Sequence, residues 1–199
     1  MSRLVESIKI ENGKICNLKF SNLRFNNARK QVFGIDTEID LTDFINVPEI
    51  YSKGIAKCRV LYGKEIEAVE FAEYDVNYIH SLKIVYDDTA DYTYKWTNRA
   101  WLNELLKQKG NCDDILIIKD GYVTDTSRTN IIFNDGKNWV TPTTFLLNGT
   151  QRQRLISEGL IEEKEIKIND IGKYKKARVI NAFFDLDFGV DIQIKKIVP

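Results

Sequence analysis

The run Gly121-Tyr-Val-Thr-Asp-Thr-Ser-Arg-Thr-Asn-Ile-Ile-Phe-Asn-Asp-Gly-Lys-Asn-Trp-Val-Thr-Pro-Thr-Thr-Phe-Leu-Leu-Asn-Gly-Thr150 leaves the chain few ways to fold. An acidic residue, Asp125, falls at a strand end. The strands Ile131 to Phe133 and Asn138 to Val140 turn about Asp135-Gly136, a pair suited to a tight hairpin. Gly149-Thr150 then stands where a helix begins, predicted to run from about Thr150 to Ser157.

The residues before it read as hairpin, helix, hairpin. Strand-like runs from Leu4 to Ile10 and Ile15 to Phe20 flank Asn12-Gly13. Ser21 or Asn22 is expected to cap a helix whose apolar side carries Leu23, Ala28, Val32 and Phe33, with Gly34 ending it. Leu41 to Tyr51 is interrupted by Pro48. Ala56 to Tyr62 and Ile66 to Phe71 pair across Gly63-Lys64. A looser stretch, Tyr74 to Tyr94, holds one strand candidate, Leu82 to Tyr86, and the domain boundary is placed after it. Residues 1–86 then form a small α+β domain and 87–199 a larger α/β domain.

In the larger domain Ala100, Leu102, Leu105 and Leu106 make a helix face closed by Gly110, and Asp114 to Ile118 is a strand. Beyond the central run come a strand around Lys164 to Ile168 and a short helix after Asn169-Asp170. Strands at Arg178 to Phe183 and Ile192 to Ile197 end the chain.

Composition bounds the function classes. A chain of 199 residues with 43% hydrophobic and 29% charged residues suits a globular fold. Its 29 basic and 29 acidic residues cancel without a basic block, so a nucleic-acid partner is not expected. Cys16, Cys58 and Cys112 form neither a disulfide framework nor a zinc pattern, and no metal is expected. No apolar run has the length of a signal region or membrane span, and the expectation is a cytoplasmic protein away from membranes.

Three places could carry chemistry. Lys95 lies between Tyr94 and Trp96, and aromatic neighbours would strip water from its amine. Desolvation disfavours the ammonium form, as a Schiff-base lysine requires. Asp125 could face a ring nitrogen and keep it protonated. Gly149 and Thr150 could cradle a phosphate with backbone N–H groups and a hydroxyl. Each also has a plain reading, as a surface lysine, a turn acid and a helix cap. An acid for a ring nitrogen, a phosphate cradle and a lysine are what a pyridoxal phosphate site needs. The single histidine, His80, matches nothing catalytic.

The order and spacing of these residues resemble the fold-type IV pyridoxal phosphate enzymes, the class IV aminotransferase superfamily. The resemblance rests on Lys95, then Gly-Tyr-Val-Thr-Asp-x-x-x-x-Asn, Trp-Val-Thr-Pro and Leu-Leu-x-Gly-Thr-x-Arg. Val5-Glu6-Ser7-Ile8-Lys9 looks like the family's Phe-Glu-Thr-Ile-Arg strand, and Phe20-Ser21-Asn22-Leu23-Arg24 like its helix start.

The resemblance implies a two-domain α+β fold like that of D-amino-acid aminotransferase, a pyridoxal 5'-phosphate cofactor and a homodimer acting on a small-molecule amine. Lys95 matches the lysine joined to the cofactor, and Asp125 the acid at the pyridine nitrogen. Arg24, Gly149 and Thr150 match the phosphate binders. Leu147 matches a residue packing on the ring, and Asn181 falls in a loop near the phosphate. Ser7 and Arg99 are candidates for substrate carboxylates.

Four residues precede Val5 where the family has about thirty, so the fold is expected to be shortened at its N-terminus. Ser21 stands in place of a histidine, and Asp125 in place of a glutamate. Lys-x-x-Asn-Arg and Ile-Asn-Ala resemble the pattern of 4-amino-4-deoxychorismate lyase, which releases pyruvate and forms 4-aminobenzoate for folate. Branched-chain aminotransferases more often show Lys-x-x-Asn-Tyr. An aminotransferase of branched-chain or D-amino acids, and a cofactor-binding protein without turnover, stay open beside the lyase.

Overall fold

A computed structural model describes residues 3–199. They fold as two compact units of mixed α+β structure. The first runs to Val76 and takes in Tyr94–Asn98; the second comprises Asn77–Thr93 and Arg99–Pro199.

The first unit is a four-stranded antiparallel sheet with a helix on one face. Strand β1 (Leu4–Glu11) turns into the two-residue β2 (Lys14–Ile15) at Asn12-Gly13, both at positive φ (49° and 77°), the conformation a right-twisted two-residue hairpin demands. The strand expected from Ile15 to Phe20 stops at Ile15. Asn17, in the left-handed conformation (φ 53°), redirects the chain into α1 (Leu18–Phe33). The expected cap is also corrected: Ser21 is buried within that helix, and Asn22 instead holds the Asp40 carboxylate and the Leu41 N–H. Gly34 does end α1, in the left-handed conformation.

Strands β3 (Ile55–Tyr62) and β4 (Ile66–Glu73) complete the order β2-β1-β3-β4, with Leu4 opposite Tyr62 and Glu11 opposite Ile55. Leu4, Ile8 and Ile10 point to α1 and pack with Phe25 and Ala28. Residues 41–51 form two 3-10 turns, Leu41–Asp43 and Glu49–Tyr51, on either side of the Pro48 region.

The second unit holds two sheets. Strand β5 (Leu82–Tyr86), helix α2 (Ala100–Leu106) and strand β6 (Asp114–Lys119) form a parallel crossover, and β7 (Tyr122–Thr126) returns antiparallel to β6. Strands β8 (Asn130–Asn134) and β9 (Trp139–Pro142) form the anticipated hairpin. Helix α3 (Thr150–Ser157), strand β10 (Glu162–Lys164), a 3-10 turn at Ile168–Lys173, and strands β11 (Lys176–Ile180), β12 (Ile192–Gln193) and β13 (Ile197–Val198) follow. The sheet orders are β10-β9-β8-β11-β12 and β13-β5-β6-β7. The apolar run of β6 is buried on both sides, Leu116 and Ile118 in one cluster and Ile115 and Ile117 in another.

The boundary differs from the expected one at 86/87. Strand β5 belongs to the second unit because its partner β6 lies beyond the α2 crossover, and a parallel partner is always distant in sequence. Lys95 falls in the first unit because its segment pairs with β1: Leu4 bridges Trp96, Val5 N–H donates to Lys95 O at 3.0 Å, and Thr97 N–H to Arg3 O at 2.9 Å. Late strands are shorter than expected. Lys164 to Ile168 becomes β10, ending at Lys164, and Ile192 to Ile197 is broken by a 3-10 turn at Ile194–Lys196.

Candidate active site

The expected site residues divide between the units. Ser7, Arg24 and Lys95 belong to the first; Arg99, Asp125, Leu147, Gly149, Thr150 and Asn181 to the second.

Within the first unit, Trp96 and Leu4 face the α1 core. Alternation along the paired segments turns Lys95 to the other face, shared with Val5 and Ser7. Tyr94 and Trp96 instead pack against the α1 core, their rings edge-on to each other at 6.3 Å between centroids, so the expected aromatic shielding of the Lys95 amine does not come from these two rings. Arg24 lies on the α1 side. Its Nε donates to Glu6 Oε1 at 3.0 Å and its Nη2 to Oε2 at 2.5 Å, and Glu6 is fully buried. A phosphate at Arg24 would therefore meet a guanidinium already paired with a carboxylate. A cavity of about 650 Å³ runs along α1 and residues 35–40, past Asn22, Asn26 and Asp40; none of the expected site residues lines it.

The second unit assembles a tight cluster around Asp125. This residue sits within β7 and is buried. Its Oδ2 accepts the backbone N–H groups of Leu146 and Leu147, both at 2.9 Å, and its Oδ1 accepts Asn130 Nδ2 at 2.8 Å. Three donors favour the carboxylate, as does the more distant charge of Arg152. Burial outweighs them and pushes the carboxyl up to about 6. A cation beside it, such as a protonated ring nitrogen, would bring it down again. The donor set thus suits an acid that faces a positively charged heterocycle.

Leu147 carries the loop from β9 to α3 past Asp125: its N–H meets the acid and its carbonyl accepts Asn130 Nδ2 at 2.9 Å. Gly149 caps α3 without a side-chain hydrogen bond, and Thr150 is the buried first residue of that helix, a helix start of the kind that receives a phosphate. This arrangement fits a phosphate. Asn181 Oδ1 accepts the N–H groups of Phe183 and Phe184 at 2.8 and 3.1 Å, so that side chain holds a turn. Arg99 Nη2 donates to the Ser127 carbonyl, and its guanidinium lies 6.0 Å from the Tyr92 ring centroid. Its Nε is buried and makes no hydrogen bond among the described residues.

Two participants had no role assigned from sequence. Asn130 was visible only as the last letter of the Asp-x-x-x-x-Asn motif. Arg152, the arginine of the Gly-Thr-x-Arg motif, is buried with its guanidinium 4.1 Å from the Phe145 ring centroid, and it donates to Pro142 O at 3.0 Å and Glu163 Oε1 at 2.5 Å. Nothing in a single sequence announces that stack.

A buried strand acid tied to a glycine-capped helix, in a chain of two α+β units, defines a protein of the fold-type IV class. Residues 64–186, more than half the chain, match the sequence profile of amino-transferase class IV, and the chain belongs to that family. A Haemophilus influenzae protein of uncharacterised function is 36% identical over 184 residues, 92% of this chain and 98% of its own length. A Haemophilus somnus protein, whose crystal structure carries the provisional name 4-amino-4-deoxychorismate lyase, is 33% identical with a TM-score of 0.88, over 94% of this chain and 98% of that one. A hypothetical aminotransferase of Mycobacterium tuberculosis in its PLP-bound form shares the fold, with a TM-score of 0.77 at 14% identity over 98% of this chain and 81% of that one. Among the described residues no helix is long and apolar enough to cross a membrane, and no group of three His, Cys, Asp or Glu side chains could hold a metal ion.

Proposed function

We propose that this chain is a pyridoxal phosphate-dependent lyase that acts on 4-amino-4-deoxychorismate and releases pyruvate and 4-aminobenzoate. The observation that carries the reading is the 33% identity, across nearly the full length of both chains, to the Haemophilus somnus protein that bears this provisional name. The Lys-x-x-Asn-Arg and Ile-Asn-Ala signatures support the same choice.

Bound pyridoxal phosphate supplies an electron-withdrawing ring that stabilises negative charge at the carbon bearing the substrate amine. Lys95 would hold the cofactor, and its amine would take the proton from that carbon. Asp125 keeps the ring nitrogen protonated from a position water does not reach. Gly149 and Thr150, and Arg24 alongside its pair with Glu6, would hold the phosphate, with Asn181 in the neighbouring loop, and Leu147 would pack against the ring. Ser7 and Arg99 receive the substrate carboxylates. The bond to the enolpyruvyl oxygen then breaks, the leaving group takes up a proton to become pyruvate, and the six-membered ring becomes aromatic. The protein works as a homodimer in the cytoplasm.

A second reading, a class IV aminotransferase on the same residues, is supported by the family's own description. It differs in outcome, passing the substrate nitrogen to a 2-oxo acid instead of releasing pyruvate. Supplying aminodeoxychorismate to the cofactor-loaded protein separates the two. The lyase yields pyruvate and 4-aminobenzoate in equal amounts, both lost in Lys95→Ala. Nitrogen transfer to a 2-oxo acid without pyruvate release would instead establish the second reading.

A further inference from the structure

Asn130 opens β8 five residues after Asp125. The residues between form a tight turn, buried except at Arg128 and closed by Thr126 N–H to Thr129 O at 2.9 Å and by the two threonine hydroxyls at 2.7 Å. That turn returns the Asn130 side chain, itself buried, to the carboxylate it follows in sequence. Both hydrogens of its amide are used: one goes to Asp125 Oδ1 at 2.8 Å and one to Leu147 O at 2.9 Å. Both partners are acceptors, which fixes the amide orientation, because a flipped Oδ1 would face two oxygens.

The other end of the amide explains a glycine. Gly149 has φ −64° and ψ 142°, ordinary extended backbone that any residue adopts, so conformation does not demand glycine there. Space does. A Cβ at position 149 would lie 2.0 Å from Asn130 Oδ1 and 3.2 Å from its Cγ, while its next neighbour, Arg152 Cβ, would stand at a comfortable 3.9 Å.

We propose that Asn130 is a positioning residue that clamps the Asp125 carboxylate to the 146–149 loop, and that residue 149 is glycine to leave room for this amide. The clamp joins the acid of β7 to the segment that leads into α3. Its functional meaning rests on the reading of Asp125 and Gly149 given above; its geometry does not. Removing the donor leaves the carboxylate with the two backbone N–H groups only, and its charged form loses one of three hydrogen bonds.

The test uses the full-length chain free of cofactor, so it is independent of whether pyridoxal phosphate binds. The Asp125 carboxyl is followed by carbon-13 NMR against pH in the wild type, Asn130→Ala, Asn130→Leu and Gly149→Ala. Asn130→Leu keeps the branched shape, adds no charge and removes the donor, and Gly149→Ala displaces the amide without altering it. The midpoint is expected to rise in all three variants by roughly one pH unit or more. In parallel, Gly149→Ala is introduced into wild type and into Asn130→Ala. It carries the same small penalty of a poorer helix cap in both. The clash predicts an additional fall in Tm of about 4 °C or more in the wild-type background only. A purely space-filling Asn130 would leave the Asn130→Leu midpoint at the wild-type value. A glycine needed only for phosphate approach would give equal Tm changes in the two backgrounds. Either result overturns the proposal. Uptake of pyridoxal phosphate by the wild type tests the enzyme reading separately.

Discussion

Arg24 and Glu6 form a two-pronged ion pair, at 3.0 and 2.5 Å, between the first turns of α1 and a buried position on β1. Glu6 occupies the core-facing row of β1, between Leu4 and Ile8, where an apolar residue would otherwise be expected. The pair therefore joins helix to sheet in the first unit and sets the guanidinium that the family resemblance assigns to phosphate.

Breaking that pair leaves a buried charge without its partner. Glu6→Ala is expected to destabilise the protein by about 3–5 kcal/mol, and the double variant Glu6→Leu with Arg24→Leu by less than either single change. Urea unfolding checks both statements. A cost for Glu6→Ala under about 1 kcal/mol, typical of an exposed pair, would show that the contact does not organise the unit.

Asp125 makes a pH prediction whose sign is fixed. Its folded-state carboxyl is raised from 3.8 to about 6, so the folded protein holds that proton more tightly than the unfolded chain. Its contribution is most favourable below 3.8 and is lost as pH rises to about 6, in total about 3 kcal/mol. Relative to Asp125→Asn, the cofactor-free wild type should lose stability between pH 4 and 6 and then stay level. Unfolding curves at several pH values read this directly, and a difference that does not change across that window would refute it.

Arg152 holds the loop that presents Leu146 and Leu147 to Asp125, through its stack on Phe145 and its bonds to Pro142 and Glu163. Lysine keeps the charge but not the flat, forked guanidinium. Arg152→Lys is expected to lower stability by about 2 kcal/mol in urea unfolding. Wild-type stability in this variant would mean that charge alone suffices.

Much of the fold was legible where local chemistry dictates it. Asn12-Gly13, Asp135-Gly136 and Gly34 stand at the turns and helix end that their conformational freedom predicts, and the span of α3 was read correctly from Gly149-Thr150. What local patterns could not show is pairing at a distance. Strand β5 was recognised but assigned to the wrong unit, since its partner lies past a crossover, and Lys95 was separated from the β1 edge it pairs with. Asn17 in a left-handed conformation and the apolar spacing of Leu18 onward were masked by a strand-like run. In the candidate site, order and spacing singled out Asp125 and Gly149, and the structure ties the two together through Asn130 and the 146–149 loop. The Asn130 clamp and the Arg152 stack were not legible, because they arise from side chains meeting in three dimensions.

The central claim is that Lys95 carries pyridoxal phosphate. The protein is loaded with the cofactor, treated with borohydride to lock any lysine–pyridoxal linkage, digested and mapped by mass spectrometry. The account predicts one pyridoxyl label, on the peptide that contains Lys95, and none in Lys95→Ala. A protein that takes up no label, or carries it on a different lysine, would contradict it.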